Sequence, residues 1–173
     1  MHYTLRALAV GCVLLAAPAV ADEETLWALL AAQDAASGRF EQALFDEEGE
    51  LLERSSGSYA VLRPGYFRWA IDSPDRQLLL VSGDTLWHYD VDQETATRRN
   101  TGADSSFAPL ELLGGDPETL RARFAVTVLG AQHYRLEPTY AGAGFAAVEL
   151  HWQDDRLQAM EVTDRSGQRM ELA

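Results

Sequence analysis

Arg63-Pro64-Gly65-Tyr66-Phe67-Arg68-Trp69-Ala70-Ile71-Asp72-Ser73-Pro74-Asp75-Arg76-Gln77-Leu78-Leu79-Leu80-Val81-Ser82-Gly83-Asp84-Thr85-Leu86-Trp87-His88-Tyr89-Asp90 is the stretch on which the fold turns. Turn chemistry cuts it at Pro64-Gly65, Pro74-Asp75 and Gly83-Asp84. Between the cuts lie three short strands. Phe67, Trp69 and Ile71 alternate with Tyr66, Arg68 and Ala70, the signature of one apolar and one mixed face. Leu78 to Val81 is apolar throughout, which predicts a strand covered on both faces. Trp87 and Tyr89 share one face of the third strand, Leu86 and His88 the other.

Outward from this centre the same pattern continues. A helix is expected over 23–36, with acidic residues in its first turn, Leu26, Leu29 and Leu30 at helical spacing and Ser37-Gly38 as its stop. Strands are expected over 39–45 and 51–62, with Gly57 marking a bulge or a close approach. A further strand over 94–99 completes a hairpin, and 100–106 reads as a loop. Pro109 to Leu113 forms a short apolar helix stopped by Gly114-Gly115, and Asp116-Pro117 caps and starts another that ends near Arg123. Helices this short are unstable alone and must dock on a sheet. Five more strands follow, over 124–128, 133–137, 145–152, 157–163 and 168–172. About eleven short strands with few helices predict a strongly curved antiparallel sheet or barrel.

The first 21 residues read as an export signal. His2 and Arg6 precede a short apolar core, Ala7 to Ala17, and Ala19-Val20-Ala21 is a small-x-small cleavage site. The apolar run is too short to span a bilayer. Cys12, the sole cysteine, is followed by apolar residues and belongs to this core rather than to a lipidation site. The mature chain is then expected to be a single domain over 22–173, without thiol or disulfide chemistry. It contains all 27 acidic residues and 13 of the 14 basic ones (14 minus Arg6), hence a net charge of 13 − 27 = −14, and no lysine. That balance argues against nucleic acid and against docking on anionic lipid.

Catalytic signatures do not emerge. The sequence contains neither GxSxG nor HExxH, and without lysine neither a P-loop nor a Schiff base is possible. His88, His133 and His151 each sit singly on an expected strand, with no second ligand at metal spacing. Asp90 to Glu94 lacks the glycine and terminal glutamate of a calcium loop. No enzyme, cofactor or metal is expected. Phe67 and Trp69 read from pattern alone either as core or as the wall of an apolar site.

Several positions agree at fixed spacing with one known family. Arg63-Pro64, Phe67 and Trp69, then Pro74, then Ser82-Gly83, Leu86-Trp87 and Tyr89 resemble the LolA family of periplasmic lipoprotein carriers. Phe40-x-Gln42, Gly57, Pro109 to Leu113, Phe124-x-Val126, Tyr134-x-Leu136-x-Pro138 and Asp164-x-x-Gly167-Gln168 extend the resemblance over most of the mature chain. It implies a mainly β fold: a half-open, unclosed barrel with short helices as a lid over an apolar cavity that receives acyl chains. Phe67, Trp69, Leu80, Leu110, Leu112 and Leu113 would line cavity and lid, and Arg63 would be the lid switch, bonding carbonyls at helix ends. The implied partners are triacylated lipoproteins as cargo, an inner-membrane lipoprotein-releasing ABC transporter and the outer-membrane receptor LolB, with the carrier itself a monomer in the periplasm. Each buried methylene is worth about 0.8 kcal/mol, so on the order of 30 kcal/mol opposes release of three chains into water. The family usually continues with a further strand beyond the position of Ala173, so that piece is expected to be missing here. Two other readings remain: the lipidated receptor of the same fold, which needs a cysteine opening the mature chain, and a periplasmic hydrolase or sugar-binding β-protein, which needs paired carboxylates or an activated nucleophile.

Overall fold

The computed structural model describes residues 22–100 and 107–173. The expected export segment, and positions 101–106 of the expected loop, lie outside them. The element order is α1 (Glu23–Ala31), β1 (Ala35–Phe45), β2 (Leu51–Leu62), β3 (Tyr66–Ser73), β4 (Gln77–Ser82), β5 (Thr85–Asp90), β6 (Thr95–Asn100), α2 (Ala108–Gly114), α3 (Pro117–Arg123), β7 (Phe124–Gly130), β8 (His133–Pro138), β9 (Phe145–Gln153), β10 (Arg156–Asp164) and β11 (Arg169–Leu172). The strands form one antiparallel sheet in the order β6-β5-β4-β3-β2-β1-β11-β10-β9-β8-β7. Its edges, β6 and β7, do not pair with each other, so the sheet stays open. This is the expected fold class.

Alternation along the strands sorts side chains onto two faces. Phe40, Tyr59, Val61, Phe67, Trp69, Val81, Tyr134, Leu136, Val148, Leu150, Met160 and Leu172 belong to one apolar core with the three helices. The opposite face carries Arg39, Arg68, Trp87, Arg135, Glu149 and Glu161. Gly57 is the close approach that the sequence marks: a Cβ there would lie 1.9 Å from the Ala70 carbonyl oxygen and 2.8 Å from the Phe40 ring. That absent methyl lets Phe40 slide onto Trp69, ring centroids 3.8 Å apart.

Three expectations are corrected. The first helix stops at Ala31, and Ala35–Gly38 instead extend β1 along Tyr59–Leu62. Alanine by itself favours a helix, but Gly38 does not, and the long β2 offers ladder partners for this backbone, so tertiary pairing overrides the local preference. Gly38 admits the Tyr59 ring, whose Cε1 would be 3.0 Å from an added Cβ. Next, β4 is covered on one face only. Val81 is buried, whereas Leu80 is 39% exposed, because the helices shield the inner face alone. Finally, the histidines on the last strands are not isolated, since the β8–β9 register sets His133 directly opposite His151.

Candidate functional site: the inner face and its helical cover

The inner face is floored by aromatic rings. Phe67 and Trp69 project inward, 2% and 3% exposed, and stack with centroids 5.9 Å apart at 8°. Phe107, just ahead of α2, meets both rings edge-on, at 6.3 Å and 5.4 Å. Such offset and edge contacts are the favoured geometries of aromatic pairs. Over this floor lies α2, in which Leu112 is fully buried and Leu110 and Leu113 are half-buried against the core. Pro109 sits in the first turn of this helix, and the Gly115 N–H closes it on the Glu111 carbonyl. The next helix, α3, is capped by Asp116, whose carboxylate accepts from Thr119 N–H at 2.9 Å and from the Thr119 hydroxyl at 2.7 Å. Those bonds, Thr119's side chain first, hold the Asp116 carboxyl below its ordinary range.

Arg63 projects from the end of β2 into the seam between the helices. Its Nε donates to the Leu113 carbonyl at 2.7 Å, its Nη2 to the Leu112 carbonyl at 2.8 Å, and its Nη1 to the Leu30 carbonyl. These three carbonyls sit at the C-terminal ends of α2 and α1, where the dipole favours a cation; the Leu30 carbonyl also accepts the Gln33 N–H at 3.2 Å. One guanidinium thus joins the sheet to two helix ends. Burial lowers the Arg63 pKa while Asp34 and Asp116 pull it back up, and the group remains charged.

A second charged fastening holds the other flank of α2. The Glu111 carboxylate, 7% exposed, accepts from the Tyr140 hydroxyl at 2.8 Å and 2.7 Å and pairs with Arg123 Nη2 at 3.2 Å. Arg123 also lies over the Tyr140 ring, 3.8 Å from its centroid. Burial pushes the Glu111 carboxyl up, and the bonds from Tyr140 and Arg123 oppose this. Burial, with help from the hydrogen bond to Glu111, pushes the Tyr140 phenol up to about 12. Sequence reading missed this constellation because Glu111 stands among leucines in a segment that reads as simply apolar. The signal available was a charged residue on the buried stripe of a short helix.

Two inner clefts flank the Arg63 seam. One of about 420 Å³ is lined by Leu30, Val61, Arg63, Leu113, Trp152 and Leu157. A smaller one of about 90 Å³ reaches Phe40, Tyr59, Trp69, Met160 and Leu172. Tyr59, Leu113, Leu157 and Gln158 line both. Of the residues singled out from the sequence, Phe67, Trp69, Leu110, Leu112, Leu113 and Arg63 meet at this face. Leu80 does not: its register partners are Arg68 and Trp87, on the opposite face.

Residues 31–173 match the profile of the family described as outer membrane lipoprotein carrier protein LolA. The chain belongs to the LolA family. Relatives named outer-membrane lipoprotein carrier protein include one from Azotobacter vinelandii, 34% identical over 161 residues, covering 90% of this chain and 78% of that protein. Another, from Halorhodospira halophila, is 35% identical over 78% of this chain and 65% of its own length. A third, from Pseudomonas aeruginosa, is 31% identical over 96% of this chain and 81% of its own. Among solved structures, a LolA superfamily protein from Nitrosomonas europaea overlays with a TM-score of 0.48 at 10% identity, covering 88% of this chain and 91% of that one.

Proposed function

We propose that the mature chain is a periplasmic carrier that takes up the acyl chains of lipoproteins leaving the inner membrane and hands them to the outer membrane. Membership of the LolA family supports this. The structural observation that carries it is Arg63, which ties α1 and α2 to β2 over an aromatic floor. Phe67, Trp69, Leu110, Leu112 and Leu113 would receive acyl chains once the helices lift. The hydrogen bonds of Arg63 are then the switch: cargo breaks them on loading, and their re-formation favours release. A guanidinium bonded to backbone carbonyls suits that task, because water can replace those partners when the seam opens. An ABC transporter of the inner membrane and the receptor LolB would be the donor and acceptor of the cargo. The first 21 residues would direct export and be removed after Ala21.

The decisive experiment is mass spectrometry on tag-free protein purified without detergent from the periplasm. Triacylated lipoprotein should copurify in stoichiometric amount with wild type and be displaced by purified receptor, and the carrier's own sequence should start at Asp22. Carrier that emerges free of lipoprotein, and that takes up none from loaded inner-membrane vesicles, would overturn the reading.

A further inference from the structure

On the outer face, far along the sheet from Arg63, the β8–β9 pair assembles three metal-ligating side chains. His133 and His151 oppose each other across the two strands, and their rings stack with centroids 3.8 Å apart at 25°. Glu149, two residues before His151 and so on the same face, has its Oε2 2.9 Å from His133 Nε2. One nitrogen from each histidine and one carboxylate oxygen all lie within 4.8 Å of one another. A tetrahedral zinc ion with bonds of about 2.0–2.2 Å requires donors roughly 3.3 Å apart, so small side-chain rotations close this set on an ion.

We propose that His133, Glu149 and His151 form a binding site for a divalent d-block cation of the zinc class, with water completing the coordination. Three further observations support it. The second oxygen of Glu149 is already held by Arg135 Nη1 at 2.9 Å, which orients the carboxylate and leaves Oε2 toward the histidines. Outer partners of this kind are what fix ligating carboxylates. On the next strand the residue opposite His151 is Ala159, whose short side chain leaves the ring open to a cleft of about 500 Å³. Glu41, Glu161 and Glu171 line that cleft beside Arg54, and Arg169 pairs with Glu161 and Glu171, so a small acidic excess borders the ion's path in. Imidazole in the set selects against calcium and magnesium, which take oxygen ligands. The ion would clip β8 to β9 and leave the Arg63 seam untouched, so this proposal stands independently of the carrier reading.

The test is isothermal titration of tag-free mature protein, stripped with chelator, with zinc chloride, alongside the visible absorption spectrum of the cobalt-substituted protein. One zinc per chain should bind with a micromolar dissociation constant and raise the unfolding midpoint, while calcium and magnesium do neither. His133→Ala, His151→Ala and Glu149→Gln should each weaken binding about tenfold or more. Because His151 is exposed, its variant should keep the unfolding midpoint of the metal-free protein. Cobalt should give the intense visible bands of a tetrahedral site, absent from both histidine variants. The proposal is overturned if no stoichiometric zinc binding is found, or if binding persists unchanged in His133→Ala and His151→Ala.

Discussion

The two flanks of α2 are fastened by charges of opposite sign, and the fastenings differ in what opening them costs. On one flank Arg63 reaches from β2 to backbone carbonyls of α1 and α2. Its partners are neutral, sit at helix ends and can turn to water. On the other, Glu111 brings its own charge into a buried site and depends on two side chains, Tyr140 and Arg123. Withdrawing one member of that group strands the rest in an apolar setting, which costs far more than exchanging a carbonyl for water. The cover over the aromatic floor is thus firmly anchored through Glu111 and releasable at Arg63.

The most severe way to break the comparison is to remove the floor that both flanks share. Phe67→Glu places a carboxylate between Trp69 and α2 at a position 2% exposed, at a cost of several kcal/mol. The unfolding midpoint should fall steeply and lipoprotein should no longer copurify; a variant that loads normally would remove Phe67 from the site.

Glu111→Ala tests the anchoring flank. It leaves Arg123 and Tyr140 without their shared partner, and breaking a buried pair in this way should cost about 3 kcal/mol in denaturant unfolding. A smaller loss than that of Arg63→Leu would invert the comparison. Arg63→Leu takes the guanidinium from three carbonyls at helix ends, of which Leu30's keeps the Gln33 N–H, so about 2 kcal/mol should be lost. Its larger effect should be functional: the seam becomes more apolar, loading persists, and transfer from loaded carrier to purified receptor slows. Transfer at the wild-type rate would leave Arg63 a purely structural residue.

A subtler probe is pH. The folded Glu111 carboxyl has a raised pKa, so the folded state binds this proton more tightly than the unfolded chain does. Its ionisation therefore subtracts stability as pH rises from the ordinary carboxylate range through the raised folded value, and acidification across that window restores it. The opposite trend comes from Asp22 and Asp116, whose depressed values contribute stability that is lost on acidification. Glu111→Gln removes only the first contribution, so the stability that wild type gains on acidification through that window should be absent from the variant, while the loss from Asp22 and Asp116 at lower pH remains in both. Parallel curves would show Glu111 ionisation to be uncoupled from folding. The smallest effect is expected from Arg121→Ala, which removes the exposed Arg121–Glu24 pair between α3 and α1. Exposed pairs contribute little, and the unfolding midpoint should not move measurably.

Much of the fold was legible because it rests on local rules. Alternation placed Phe67 and Trp69 on one face, turn residues cut the hairpins, and Asp116-Pro117 announced α3. Where the reading failed, the deciding partner was distant in sequence. Ala35 to Gly38 became strand because β2 runs long enough to pair with them. Leu80 stayed exposed because the helices cover only one side of β4.

The candidate site divides along the same line. Arg63, Phe67, Trp69 and the leucines of α2 stand in spaced motifs, and spacing survives in a linear chain. Glu111 with Arg123 and Tyr140, and His133 with Glu149 and His151, are groupings of residues 12 to 29 positions apart. The sequence by itself determined a curved antiparallel sheet, aromatic residues on one of its faces and the short helices that must dock on it, because periodicity and turn chemistry act between near neighbours. Only the tertiary structure decided which charges meet. Helix docking brings Glu111 to Arg123 and Tyr140, and strand register brings His133 to Glu149 and His151; a one-residue change in the β8–β9 pairing would send one strand's members of that second group to the other face.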